Sequence, residues 1–242
     1  MKNTKQLLKL VTLSMLIALG VVISPILRVE GMCPMAHFIN IVCSVFLGPW
    51  YSLLCATLIG VIRMMLMGIP PIALTGAVFG AFLSGVFYRA SRGRIIFAVL
   101  GEILGTGVIG AIMSYPVMTF LWGKENLSWL FYVPSFICGT LIGGSIAYVF
   151  LRKFAANGML ARIQTMLGSE SYLDQTGTLS NALTIAAFGA ILFVVIELAS
   201  DIFKLTGALW DKLSYISLAV CAAAAVLYYI AKKVKAPHAA NP

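Results

Sequence analysis

The sequence predicts an all-α polytopic membrane protein, and three observations carry that prediction. Apolar residues make up 61% of the 242 and charged residues only 10%, where a soluble domain of this size carries about a quarter charged. The deficit runs along the whole chain, with a mean hydropathy of +0.99, so the apolar surplus is not one buried core. Several windows of about 18 residues or more hold almost no charge, the length a bilayer crossing needs. These runs are unbroken rather than alternating in short segments, which argues against membrane strands.

Taken in order, the first span is expected over 7–24. Its basic start, with Lys2, Lys5 and Lys9, resembles a signal peptide, but no small-x-small cleavage site precedes Pro25, so it is read as a retained span. A polar interruption from Pro25 to Ala36 follows, carrying Arg28, Glu30, Cys33 and Pro34. A short second span is expected over 37–47. Gly48-Pro49 makes the turn, because proline cannot continue helical hydrogen bonding, and Trp50 and Tyr51 suit the membrane interface. The third span covers 51–67, closed by Gly68 and Pro70-Pro71, and the fourth covers 72–88. The fifth and sixth are expected over 95–121 and 129–151. A polar connector to Thr178 separates these from a final pair, 179–200 and 213–231.

Basic residues orient this arrangement. With the N-terminus cytoplasmic, the inner segments hold Lys2, Lys5, Lys9, Arg89, Arg92, Arg94, Arg152, Lys153, Arg162, Lys232, Lys233 and Lys235, which is 12 of 17. Eight spans in the cell membrane with both termini cytoplasmic satisfy the positive-inside rule. The same placement accounts for the net charge of +9: the cations sit where phospholipid head groups lie. No basic stripe with interleaved aromatics marks a nucleic-acid partner. The five cysteines form no close pair, so neither a disulfide framework nor a CxxC metal site is readable.

Within the connector, Met159, Leu160, Ile163, Met166 and Leu167 recur at helical spacing. A short interfacial helix and an ordinary linker both fit. The domain reading is a membrane body over 1–153, a cytoplasmic linker over 154–178, and an added hairpin with a basic tail over 179–242. No internal repeat is found.

Gly105-Thr106-Gly107-Val108-Ile109-Gly110 matches GxGxxG by letter, but in mid-span and with no preceding strand it lacks the dinucleotide-binding context. Gly101, Gly105 and Gly110, with Gly76-x-x-x-Gly80 and Gly139-x-x-x-Gly143, read instead as small residues that let helices approach. No ATP-binding, metalloprotease or hydrolase motif appears, and two histidines, His37 and His238, do not make a metal site. An enzyme is not indicated, nor is a cofactor.

The informative residues are polar ones placed where lipid should be, because charges within spans face the bundle interior and are functional by default. Arg63 lies late in the third span and Glu102 early in the fifth. A structural ion pair and a ligand-facing role stand about even for them. By depth, Arg63 has the better claim on an outward-facing site, and Glu102 falls below it. Glu197 reads as a snorkelling group near the outer end of the seventh span. His37 and Asn40 are three apart, hence on one helix face just below Cys33-Pro34. Tyr115, Tyr132 and Ser135 fall at similar outer depth. They supply either an aromatic wall with hydroxyls or an interfacial belt.

Together these residues resemble a known family. Gly31-Met32-Cys33-Pro34-Met35-Ala36-His37-Phe38-Ile39-Asn40, Leu47-Gly48-Pro49-Trp50-Tyr51, Arg63, Gly101-Glu102 with Gly105-Thr106-Gly107, Ser114-Tyr115-Pro116-Val117 and Phe131-Tyr132-Val133-Pro134 look like ThiW. Members of that family are substrate-binding S components of energy-coupling factor (ECF) transporters. The resemblance covers roughly 9–153. It implies a six-helix S component that captures the thiamine precursor hydroxyethylthiazole, driven by a transmembrane coupling protein and two ATPase subunits. S components commonly dock through an Ala-x-x-x-Ala face on the first helix, and the nearest equivalent is Ser14-x-x-x-Ala18. The hairpin over 179–231 is a departure from the six-helix pattern.

The residues support the same reading separately. A neutral thiazole with a hydroxyethyl arm needs an apolar slot and a few hydrogen-bonding groups, here Cys33, His37, Asn40, Arg63, Tyr115, Tyr132 and Ser135, with Glu102 nearby. Three alternatives remain open at this level: an S component for another thiamine-pathway molecule, a secondary carrier in which Glu102 relays a proton, and a membrane scaffold that binds no solute.

Overall fold

The computed structural model describes residues 2–26, 28, 33–172, 178–203 and 210–235. Glu30, Gly31, Met32 and His238, named above, lie outside them. The described residues are mainly helical, with no strand among them. The chain divides into two compact units, Met1–Leu173 and Asp174–Pro242.

Among its described residues the first unit holds seven helices: α1 (Lys2–Ile23), α2 (Pro34–Leu47), α3 (Pro49–Met67), α4 (Ile72–Ala90), α5 (Ile95–Leu121), α6 (Val133–Ala156) and α7 (Met159–Leu167). Among the described residues, six helical stretches are long and apolar enough to cross a membrane. Five are α1, α3, α4, α5 and α6, and the sixth is Lys212–Lys233 in the second unit. The chain is a multi-pass membrane protein.

The short second span has a physical explanation. At 14 residues, α2 is about 21 Å long, well under a bilayer core. Twelve of those residues are buried, because α1, α3, α4 and α6 all pack on it. An apolar helix covered on every side is a core element. Here it forms the axis of the bundle. Cys33 precedes it, Pro34 occupies its first turn, where a missing N–H costs nothing, and Gly48 (φ +93°) turns directly into α3.

Glycines set how closely α5 approaches its neighbours. A Cβ on Gly101 would stand 2.5 Å from the Leu83 carbonyl oxygen, and one on Gly105 2.5 Å from Gly80 Cα. One on Gly110 would stand 2.7 Å from the Gly76 oxygen. Gly107 faces the other way, with its Cβ position 2.9 Å from Ile137 of α6. The small-residue pattern thus brings α5 onto α4 nearly backbone to backbone. Residues Ile103–Gly110 and Val117–Leu121 of α5 are π-helical, and Trp122 N–H reaches back to Val117 O at 3.1 Å. This widened turn lets the helix continue past Pro116, which offers no N–H of its own.

The sixth span begins at Val133, later than the expected 129, and extends to Ala156. Residues 129–132 form turns in which Trp129, Leu130 and Phe131 remain exposed.

The connector helix forms as α7. Glycines in the left-handed region, Gly158 and Gly168, bracket it, and its Leu160 and Leu167 are buried. Gln164 Nε2 donates to Val45 O at 2.9 Å and to Tyr88 Oη at 3.0 Å. The helix therefore covers the end of the bundle where α1 starts and where α2 and α4 finish.

The second unit is a hairpin of α8 (Thr178–Phe203) and α9 (Trp210–Lys235). Asn181 Nδ2 donates to Tyr228 Oη at 3.0 Å. Glu197 accepts from Ser214 Oγ, so it is tied to the opposite helix rather than reaching for the membrane surface.

Candidate functional site

At the end of the first unit opposite α7 lies a cavity of about 90 Å³. The start of α2, the end of α3, the start of α4, the middle of α5 and the start of α6 supply its wall. Ala36, Ile69, Ile72, Ala73, Ala77 and Phe136 make most of that wall apolar, and Gly76 opens it. The polar groups are few: Arg28, Cys33, His37, Arg63 and Thr106. Few polar groups converging on an apolar concavity are the usual form of a small-ligand site.

Beneath the cavity floor, a polar cluster fixes His37. Glu102 Oε1 lies 2.9 Å from His37 Nδ1, and it accepts from Asn40 Nδ2 at 3.0 Å and from Thr106 Oγ1 at 3.1 Å. Asn40 Nδ2 also reaches Ala77 O at 3.4 Å, and Ser52 Oγ donates to Asn40 O at 2.9 Å. The carboxylate, which is fully buried, joins α5 to α2, and Asn40 extends the network to α4 and α3. The carboxylate's second oxygen, Oε2, has no partner among the described residues.

Glycines make room for the cluster. A Cβ on Gly80 would collide with Thr106 Oγ1 and stand 2.8 Å from Glu102 Oε2. A Cβ on Gly139 would stand 3.2 Å from His37 Nε2, and one on Gly143 would overlap the Pro34 carbonyl oxygen. The Gly139-x-x-x-Gly143 face of α6 thus seats the first turn of α2 and with it the imidazole.

On the opposite wall stands Arg63, only 4% exposed. Its Nη2 donates to Cys33 Sγ at 3.2 Å, and Cys33 Sγ in turn lies 3.1 Å from Ser24 O. This contact holds the start of α2 against the ends of α1 and α3.

The residues singled out in the sequence therefore divide. Cys33, His37 and Arg63 line the cavity, while Asn40 and Glu102 sit directly behind it. Arg63 and Glu102 do not pair with each other: Glu102 serves His37, Asn40 and Thr106, and Arg63 serves Cys33. Glu102 lies below the cavity and anchors its floor through His37 and Thr106. Tyr115 stacks on Trp129 at 4.4 Å, and Tyr132 packs in a cluster with Ala111, Met118 and Phe136. Ser135 Oγ bonds the Tyr132 carbonyl at 3.1 Å. None of these three lines the cavity. Their depth along the helix was readable, but their direction around it was not. Phe136, one turn on from Tyr132, supplies the aromatic surface instead, and Thr106 supplies a hydroxyl. The letter-perfect GxGxxG holds Thr106, though nothing in its spacing marks that side chain as facing a cavity. Away from the site, Ser14 and Ala18 lie on an exposed face of α1.

A family model described as thiamine-precursor transporter protein (ThiW) matches residues 10–157. No curated protein and no solved structure matches the chain.

Proposed function

Since the chain belongs to the thiamine-precursor transporter family ThiW, and is a transporter rather than an enzyme, we propose that it is the substrate-capture subunit of an ECF-type importer for hydroxyethylthiazole. One observation supports this reading most: the cavity roofed by Cys33 joins an apolar wall, one aromatic face and a pre-positioned imidazole. Phe136 stacks on the thiazole ring, and Arg63, His37 and Thr106 provide hydrogen bonds for the ring nitrogen and the hydroxyethyl arm. Asn40 and Glu102 act through His37 and Thr106 by holding them. Residues 1–153 carry capture, 154–178 form a cytoplasmic linker, and 179–242 are an addition outside the capture body.

Transport needs an external motor in this reading. The coupling protein docks on the α1 face that carries Ser14 and Ala18, where small side chains permit close helix approach, and two ATPase subunits drive the cycle. Uptake of labelled hydroxyethylthiazole into cells with and without the coupling and ATPase subunits tests this. Dependence on those subunits is expected, and uptake by the chain alone would make it a secondary carrier.

A further inference from the structure

Arg63 carries a charge that the described part of the chain does not neutralise. It is buried, its Nη2 meets a thiol, and its Nε has no acceptor among the described residues. The ion pairs among those residues join His37 to Glu102 and Arg89 to Glu170, and neither includes Arg63. Arg28 brings a second cation to the same cavity, and among the described residues no carboxylate lines its wall. A buried guanidinium without a counter-ion is costly within a membrane protein, and this cost falls when an anion binds. Guanidinium is also the group best matched to a planar or tetrahedral oxyanion, through paired N–H donors. His37 and Glu102 stand on the other side of the cavity, already engaged with each other.

We infer that this cavity takes a small heteroaromatic ligand whose arm ends in an oxyanion, with the oxyanion on Arg63 and the ring against Phe136. The inference rests on the thiazole reading above and narrows it: the phosphate monoester or carboxylate form of the precursor binds in preference to the neutral alcohol. Arg63 is then the residue that sets specificity for the arm.

The test uses the full chain purified in an uncharged detergent. Calorimetry compares hydroxyethylthiazole, its phosphate monoester and 4-methylthiazole-5-acetate on wild type and on Arg63→Gln and Arg63→Lys. An anionic form should bind about tenfold or more tighter than the alcohol. This preference should vanish in Arg63→Gln and partly survive in Arg63→Lys. Equal or tighter binding of the alcohol in the wild type overturns the inference and leaves the thiazole reading intact. A second measurement on unmutated protein needs no thiazole. N-ethylmaleimide labelling of Cys33, followed by peptide mass mapping, should be slowed by inorganic phosphate. Protection by phosphate with no binding of any thiazole form would keep the anion site and remove the thiazole. Absence of protection by both phosphate and the anionic thiazoles overturns the anion site. So does protection by phosphatidylglycerol alone, which would assign the cations to a lipid head group. Glu30→Gln tests for a counter-ion within the chain: anion protection gained only in this variant also overturns the inference.

Discussion

Glu102 Oε1 lies 2.9 Å from His37 Nδ1, joining residues 65 apart in sequence across α5 and α2. The same oxygen bonds Asn40 and Thr106, so a single carboxylate fixes the floor of the cavity. Glu102→Ala should therefore weaken hydroxyethylthiazole binding about as much as loss of a ligand-facing group. It removes the one acceptor that His37, Asn40 and Thr106 share, and each buried group left without its partner costs about 1–3 kcal/mol, or roughly one to two decades in affinity. Calorimetry on the variant, with its melting temperature checked in parallel, measures this. Unchanged affinity would mean that the cluster does not position the site.

Gly80 is the tightest glycine beside that carboxylate. Gly80→Ala places a methyl group against Thr106 and Glu102, and overpacking costs about 1–3 kcal/mol. The variant should melt lower in detergent than Gly68→Ala, whose added methyl group meets nothing within 4 Å and bears only the strain of its φ of +61°. Equal melting points would mean that α4 and α5 pack less closely than the structure has them.

Gln164 tests the other end of the bundle. Its amide bonds Val45 O and Tyr88 Oη, and Gln164→Leu leaves both buried groups short of a partner, a loss of about 1–3 kcal/mol. Thermal stability should fall while ligand affinity stays constant, because α7 lies opposite the cavity. A change in affinity with no change in stability would contradict the separation of the two ends.

How much of this was legible in the sequence follows from what linear order encodes. Long apolar runs located the spans, and Gly48-Pro49 located the turn, since each depends on residues close in sequence. His37 and Asn40 were legible as a pair because three residues make most of a helical turn. The partner of His37 was not legible, because the azimuth at which α5 meets α2 depends on Gly76, Gly80, Gly105 and Gly110 packing together. Depth counting likewise could not separate Tyr115 and Tyr132, which turn toward Trp129 and Met118, from Phe136, which turns inward. Pro116 in mid-span does not end α5, as π-helical turns carry the chain past it.

Topology has its own check. Reporter fusions after Arg92 and after Lys233 should read cytoplasmic, and one after Lys124 should read external, as the distribution of basic residues requires. A cytoplasmic signal at Lys124 would reverse the cavity's face and exclude capture from outside.

Docking is separable from binding. Ala18 is exposed on α1 and is not among the residues lining the cavity, so Ala18→Trp should abolish uptake and leave ligand affinity unchanged. Full uptake by this variant would move the docking surface off α1.

The most direct measurement is calorimetric titration of hydroxyethylthiazole into the purified wild-type chain and into His37→Ala and Asn40→Ala. Saturable binding to the wild type is expected, with affinity lower by roughly one to two decades in each variant: His37→Ala removes a cavity-lining polar group, and Asn40→Ala removes the amide that bonds Glu102 and Ala77 O behind it, where a lost buried hydrogen bond is worth about 1–3 kcal/mol. Wild-type affinity in both folded variants would contradict the assignment of this cavity as the capture site.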